Sequence, residues 1–383
     1  MTLRDVPSFL AATPCRRFGA GEEAAVVAAL AERNSRRLLL QDNCDLAFDE
    51  DGALAGGLRF TRRAFQRLSR RLGRGLYYCL TDLTESAGLS RTALAERMRA
   101  ASSFLNRAIG FRFRERLEGC SLLVSSEPRL VEGVLSPRSL FRPNSECFRI
   151  CRDFLAERGG AIFHGALLEG PRMYCRFREA ESLPIRIPGD EESYYRGWQI
   201  ANSEAGDLLF RAYAGVVRGQ MPALALEAPC YLFGEAHSGR GDSRERLLGV
   251  MTRAWSRASS SESLCEGLRQ LTQRSLGRGN REHAAWLRGL SKQLVRAGVP
   301  GPVVSAVLSR AFRDGKGRGD PARSGDAPSF SQTALAASSS CTPLDLCVAA
   351  IDVAGNRGPD AAEKLGRFAF RLLSGQLKLT VPQ

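Results

Sequence analysis

Lysine is nearly missing from this chain. It occurs only at Lys292, Lys316, Lys364 and Lys378, so almost all of the 55 basic residues are arginine. Histidine is as scarce, at His164, His237 and His283, and none stands near a cysteine pair. The eleven cysteines are scattered and odd in number, and no Cys-x-x-Cys occurs. The closest two, Cys147 and Cys151, share one face of a predicted helix, which makes them core positions one turn apart. A four-ligand zinc framework is therefore absent, and no metal or cofactor is expected. The cysteines suit a reducing compartment. No run of about 18 apolar residues occurs, and the N-terminus lacks the long apolar core of a signal peptide. The expectation is a soluble, cytoplasmic protein without a membrane partner.

What the chain does have is charge of one sign. The 55 basic residues exceed the 41 acidic ones, for a net charge of +14 and a pI near 9.7. Arginine binds phosphate through a planar bidentate fork and stacks on bases, so the bias favours nucleic acid as partner. A GC-rich genome would enrich arginine, alanine and glycine without that function. The apolar fraction of 44% is ordinary for a globular chain. At 383 residues there is room for a large domain with an appendage, or for two domains.

The pattern along the chain predicts an α+β fold: a mainly antiparallel central sheet flanked by helices, with a helical C-terminal extension. Residues 21–35 read as a helix and Leu38–Leu40 as a short strand. Cys44–Phe48 and Ala53–Phe60 flank Asp49-Glu50-Asp51-Gly52, which predicts a hairpin. Thr61 caps a helix that Gly73 ends, with Ala64, Phe65, Leu68 and Leu72 on one stripe. A helix over Ser90–Ala108 follows, carrying Leu94, Met98, Ala101, Leu105 and Ala108. Strands are predicted at Ser121–Ser126 and Leu130–Leu135, and a helix at Asn144–Arg158. The region 161–235 is rich in short strands separated by short turns, including Leu183–Ile187 and Gly197–Ala201, which predicts a meander. Helices are predicted again at about 242–258, 262–276, 280–297 and 300–313. Asp314–Ser340, rich in Gly, Ser, Pro and Ala, reads as a flexible linker before two last helices. The expected organisation is 1–118 and 119–275 as two parts of a main domain, 276–313 as a helical extension, 314–340 as linker and 341–383 as C-terminal helices.

Candidate binding residues fall in two groups. Arg62, Arg63, Arg67, Arg70 and Arg71, with Arg59 nearby, form the densest acid-free basic cluster, on the helix that Thr61 caps. They could track a phosphate backbone or form a solvated helix face. Tyr194, Arg196 and Trp198 alternate aromatic with basic character, which suits stacking on unpaired bases and equally suits a strand with buried rings. Gly234–Gly241 has the context of a phosphate loop but not its chemistry, because Arg240 and Gly241 stand where lysine and a hydroxyl residue are needed. Asp190-Glu191-Glu192 reads as a solvated loop. That run, with Glu204, Asp207 and His237 nearby in sequence, could otherwise build a divalent-metal nuclease site, which needs two or more converging carboxylates.

The stretch Gly197–Gly206 holds Asn202, Ser203 and Glu204 before Gly206, the pattern of a strand that ends in a turn. It resembles the Asn-Ser-Glu-x-Gly signature of a family of phage- and plasmid-borne proteins that share a domain of unknown function. Phe60–Gly73, Val131–Pro137 and His237-Ser238-Gly239 are similar to further segments of that family, so that residues 40–275 carry the resemblance. Two departures stand beside it: Arg218–Pro222 replaces a cysteine and an Asn-Gly turn, and Ser139 replaces an aromatic. The resemblance implies mobile-element ancestry and a DNA-linked role, and it implies no reaction. The leading expectation is a non-enzymatic nucleic-acid-binding protein, for DNA with single strands included, acting in replication or recombination. A metal-dependent enzyme on nucleic acid and an interaction protein with an acidic protein partner remain alternatives, and oligomerisation is left open.

Overall fold

The computed structural model describes residues 10–33, 35–73, 76, 90–125, 129–137, 141–180, 193–206, 210–218, 224–225, 230–231, 243–257, 270, 283–313, 342–355, 359–373, 377 and 379. The fold is α+β, built on two sheets. The larger is antiparallel throughout and contains β1 (Cys15–Phe18), β6 (Ala161–Glu169), β7 (Arg172–Glu179), β8 (Tyr194–Ser203), β9 (Arg211–Arg218) and β10 (Leu224–Ala225) in that spatial order. β11 (Cys230–Tyr231) also pairs with β9. The run from β6 to β9 is the predicted meander, and β1 reaches it from the N-terminal part, Cys15 opposite Glu169. The smaller sheet runs β2 (Ser35–Leu39), β4 (Ser121–Ser125), β5 (Leu130–Leu135), β3 (Arg59–Phe60), with β3 parallel to β5.

Helices cover these sheets in separate cores. On the smaller sheet lie α2 (Arg62–Leu72) and α3 (Arg91–Arg116), whose apolar stripes meet Leu122, Val131 and Val134. The Thr61 hydroxyl accepts from the Ala64 amide and so caps α2, and Gly73 ends it at φ 157°, with its amide donating to Ser69 O. Against the larger sheet lie α1 (Glu23–Glu32), α4 (Asn144–Ala156) and α5 (Ser243–Arg257), where Cys147, Cys151 and Cys175 are buried beside Phe148, Phe177 and Trp198. Burial holds these three thiols far above their ordinary range, so they are packing groups. The third core is helical: α6 (His283–Arg296), α7 (Gly301–Arg313), α8 (Pro343–Gly355) and α9 (Pro359–Leu373) pack around Val307, Leu346 and Phe368. No described helix is long and apolar enough to cross a membrane.

Two expectations need correction. The flanks of Asp49–Gly52 do not form a hairpin. Asn43–Leu46 and Ala55–Gly57 are 3-10 turns, and only Arg59–Phe60 is strand. Side chains compete with strand pairing here: Asp42 and Asp45 cap the first turn reciprocally, and Asp49 Oδ1 accepts from the amides of Asp51 and Ala53. The helix expected to end at Ala108 continues to Arg116, because Ile109 and Phe113 extend its buried stripe by four residues at a time. The predicted strand Leu183–Ile187, helix 262–276 and linker Asp314–Ser340 lie outside the described residues.

The smaller sheet carries a β-bulge where it meets the turn after β8. Leu123 pairs with Gly133 and Val124 with Val131, so Glu132 is the extra residue of β5. Gly133 then faces the turn after β8, where a Cβ would lie 2.7 Å from the Cβ of Ala205. Gly133→Ala is expected to destabilise the fold by about 1–3 kcal/mol, as overpacking of a close contact does. Urea unfolding checks this, and a wild-type midpoint in the variant would show that the contact yields without cost.

Candidate functional site

Asn202, Ser203 and Glu204 end β8 and are buried where the two sheets meet. The Glu204 amide donates to Pro171 O, which fixes the turn against the start of β7. Its carboxylate has two partners. Oε1 accepts from the backbone amide of Asn144 at 2.9 Å, and Oε2 from Arg33 Nε at 2.7 Å. Asn144 opens α4, and Pro143 before it offers no side-chain cap. Glu204 therefore supplies the missing cap from another part of the chain, with its negative charge at the positive end of the helix dipole.

Around this contact the polar groups close on one another. Asn202 Nδ2 donates to Asn144 Oδ1 at 2.8 Å and lies 3.3 Å from Arg142 O, while Asn144 Nδ2 donates to Pro171 O at 2.9 Å. Arg33, just past the end of α1, also donates through Nη2 to Glu132. Glu132 is the bulge residue of β5, and only 2% of its side chain is exposed. The bulge turns this carboxylate out of the pleat and toward Arg33. One guanidinium thus serves two buried carboxylates, one from each sheet. Burial pushes the Glu132 carboxyl above its ordinary range, Arg33 opposes the shift and Glu204 adds to it. A cavity of about 130 Å³ adjoins the cluster, lined by Arg33, Glu132, Asn144, Leu30 and Gly170.

The turn itself is clasped from α2. Arg67 donates through Nη1 to Ala205 O and through Nη2 to Gly206 O at 2.9 Å. Gly206 has φ 63°, the left-handed conformation that the sequence pattern required of it. Arg63 pairs with Glu169 at 2.5 Å, and Arg71 Nη1 lies 3.5 Å from Cys120 Sγ. Half of the predicted basic cluster is therefore turned toward the protein, whereas Arg62 and Arg70 are exposed and Arg59 is half-buried. The predicted aromatic platform needs correction. Trp198 is buried and stacks on Trp255 with centroids 4.6 Å apart, so its face is closed to a base. Its strand is interior to the sheet, and α5 covers that side. Arg196 is bound by both oxygens of Glu179. The Tyr194 side chain, Asp190–Glu192, Asp207, Gly234–Gly241 and His237 lie outside the described residues.

Chemically the cluster is a junction. Both Glu204 oxygens already accept a hydrogen bond, so a cation there would compete with Arg33 and the amide of Asn144. Among the described residues no group of three or more His, Cys, Asp or Glu is arranged to hold a metal. Sequence reasoning found Glu204 and missed Arg33, Glu132 and Asn144, which are distant in the chain and carry no local motif. No family model, curated protein or solved structure matches the chain.

Arg33→Met leaves two buried carboxylates without their cation and is expected to cost about 3–5 kcal/mol of stability, measured by urea unfolding. A loss below about 1 kcal/mol would show that the pair contributes little. A second expectation concerns pH. The folded Glu132 carboxyl holds its proton above the ordinary value of 4.5, where the unfolded chain releases it. Stability contributed by that proton is present below 4.5 and is lost as pH rises through the raised folded value. Unfolding midpoints followed upward from that pH should fall in the wild type relative to Glu132→Gln, and parallel profiles would contradict the assignment.

Proposed function

We propose that this protein binds nucleic acid without acting on it chemically, with single strands as the preferred form, in the replication or recombination of a mobile element. One observation carries the reading. Basic residues outnumber acidic ones by 55 to 41, so however ion pairs are drawn inside the chain, fourteen positive charges remain without an acidic counterpart. Four acids are engaged within the fold: Glu132 and Glu204 share Arg33, Glu169 takes Arg63, and Glu179 takes Arg196. Arginines such as Arg36, Arg70, Arg107 and Arg114 stay exposed. A surface of this kind attracts a polyanion by releasing its counterions. The resemblance to phage- and plasmid-borne proteins supports the same reading.

The experiment is fluorescence anisotropy with labelled single-stranded and duplex DNA and single-stranded RNA across a salt series. Affinity is expected to fall with salt along a log–log slope steeper than about −2, which corresponds to three or more phosphate contacts at about −0.7 each on single strands. Poly-aspartate should compete poorly, because a carboxylate chain offers no base to stack. Absence of binding to any of these at about 50 mM salt, a range in which phosphate contacts act strongly, would end the proposal.

A further inference from the structure

The longest described helix, α3, has two unlike faces. Leu94, Met98, Ala101, Leu105, Ile109 and Phe113 form the stripe that it buries. The opposite side carries Phe104, Arg107, Phe111 and Arg114, spaced three, four and three residues apart, which sets them on one arc of the helix. Phe111 is 91% exposed and Phe104 39% exposed. An exposed phenylalanine forgoes about 1.5–3 kcal/mol of burial, and a fold with three well-filled cores has other places for it. The arginines between and beyond the rings are exposed too, and among the described residues Arg107 makes a weak 3.4 Å contact with Ser103 O of its own helix. Of the acids on or just past this helix, Glu115 is paired with Arg116 at 2.7 Å, while Glu96 and Glu118 are exposed near its two ends.

We infer that this face of α3 is a stacking platform for single-stranded nucleic acid, with bases on Phe104 and Phe111 and phosphates on Arg107 and Arg114. The inference rests on the nucleic-acid reading above and gives it a location. Ring and cation alternate along the arc as base and phosphate alternate along a strand. The two rings are seven residues apart, about 10 Å along the axis, so they serve separate bases. Duplex DNA keeps its bases stacked and offers these rings nothing, whereas an unpaired strand offers a face of every base. A second copy of the chain fits poorly, because it would set Arg107 and Arg114 against a surface of the same sign.

The test uses the full chain with Phe104→Ala and Phe111→Ala, singly and together, and Phe111→Trp as the conservative variant. Thermal unfolding of Phe111→Ala should match the wild type, since that residue is 91% exposed, whereas Phe104→Ala, at a residue only 39% exposed, should unfold at a somewhat lower temperature while staying folded at the assay temperature. Each alanine should weaken binding of a mixed-sequence 20-nucleotide DNA strand about 5- to 150-fold, the range for loss of one base–aromatic stack. The salt slope should not change, because a ring releases no counterion, and duplex affinity should hold. Phe111→Trp should bind at least as well as the wild type. Arg107→Glu with Arg114→Glu should instead flatten the slope. If the wild type binds single strands and the double alanine variant binds them equally well, the platform is wrong and the nucleic-acid reading survives. Equal losses for duplex and single strand would also overturn stacking. If the wild type binds neither, the broader reading fails, and α3 is then a docking face for a protein.

Discussion

Arg33 sits between two carboxylates that no hydrophobic argument would bring into the interior. Glu132 comes from the bulge of the smaller sheet, Glu204 from the end of β8 in the larger. Each carboxylate would be costly to bury alone, and the guanidinium makes both tolerable only when all three are in place. The consequence is geometric. The end of α1, the middle of β5, the turn after β8 and the first residue of α4 are held to one point. Glu204 extends the constraint by capping α4 through the amide of Asn144, and Asn202 reinforces it through Asn144 Oδ1. Arg67 closes the same turn from α2, so both layers that flank the junction depend on it.

Arginine stands in two separate settings in this chain. Some side chains are inside the architecture: Arg33, Arg63, Arg67 and Arg196 reach carboxylates or carbonyls across long sequence separations. A planar fork with several donors suits such contacts, because one side chain satisfies two acceptors at once. Lysine could not replace them with the same geometry. Others, on the outer arc of α3, point away from any core. The inward pairs take four carboxylates largely out of solvent, and the chain as a whole keeps its excess of positive charge. An arginine-rich composition therefore covers both settings, and the two cannot be separated by counting.

Much of the fold was legible because its signals are local. Thr61 and Gly73 bound α2, and the stripe Ala64, Phe65, Leu68, Leu72 sets its buried face. The short turns between strands gave the antiparallel meander, and the helical spacing of Cys147 and Cys151 gave their burial. One failure was local in cause and one was not. Aspartate side chains at Asp42, Asp45 and Asp49 captured backbone amides and replaced a predicted hairpin with 3-10 turns. At Trp198 the alternation of aromatic and basic residues along a strand was the same whether the ring faced a ligand or a core. The stacked Trp255, 57 residues further along, decided it.

The candidate site divides in the same way. The sequence by itself determined that Asn202-Ser203-Glu204 ends a strand at a glycine turn, that the chain carries an uncompensated positive charge, and that it forms an α+β fold. Only the tertiary structure decided what Glu204 does, which rings are exposed and which arginines are occupied. The physical reason is range. Capping, turn chemistry and periodicity act within a few residues and leave a readable pattern. An ion pair between Arg33 and Glu132 depends on segments about a hundred residues apart, whose meeting leaves no trace in the order of residues at either end.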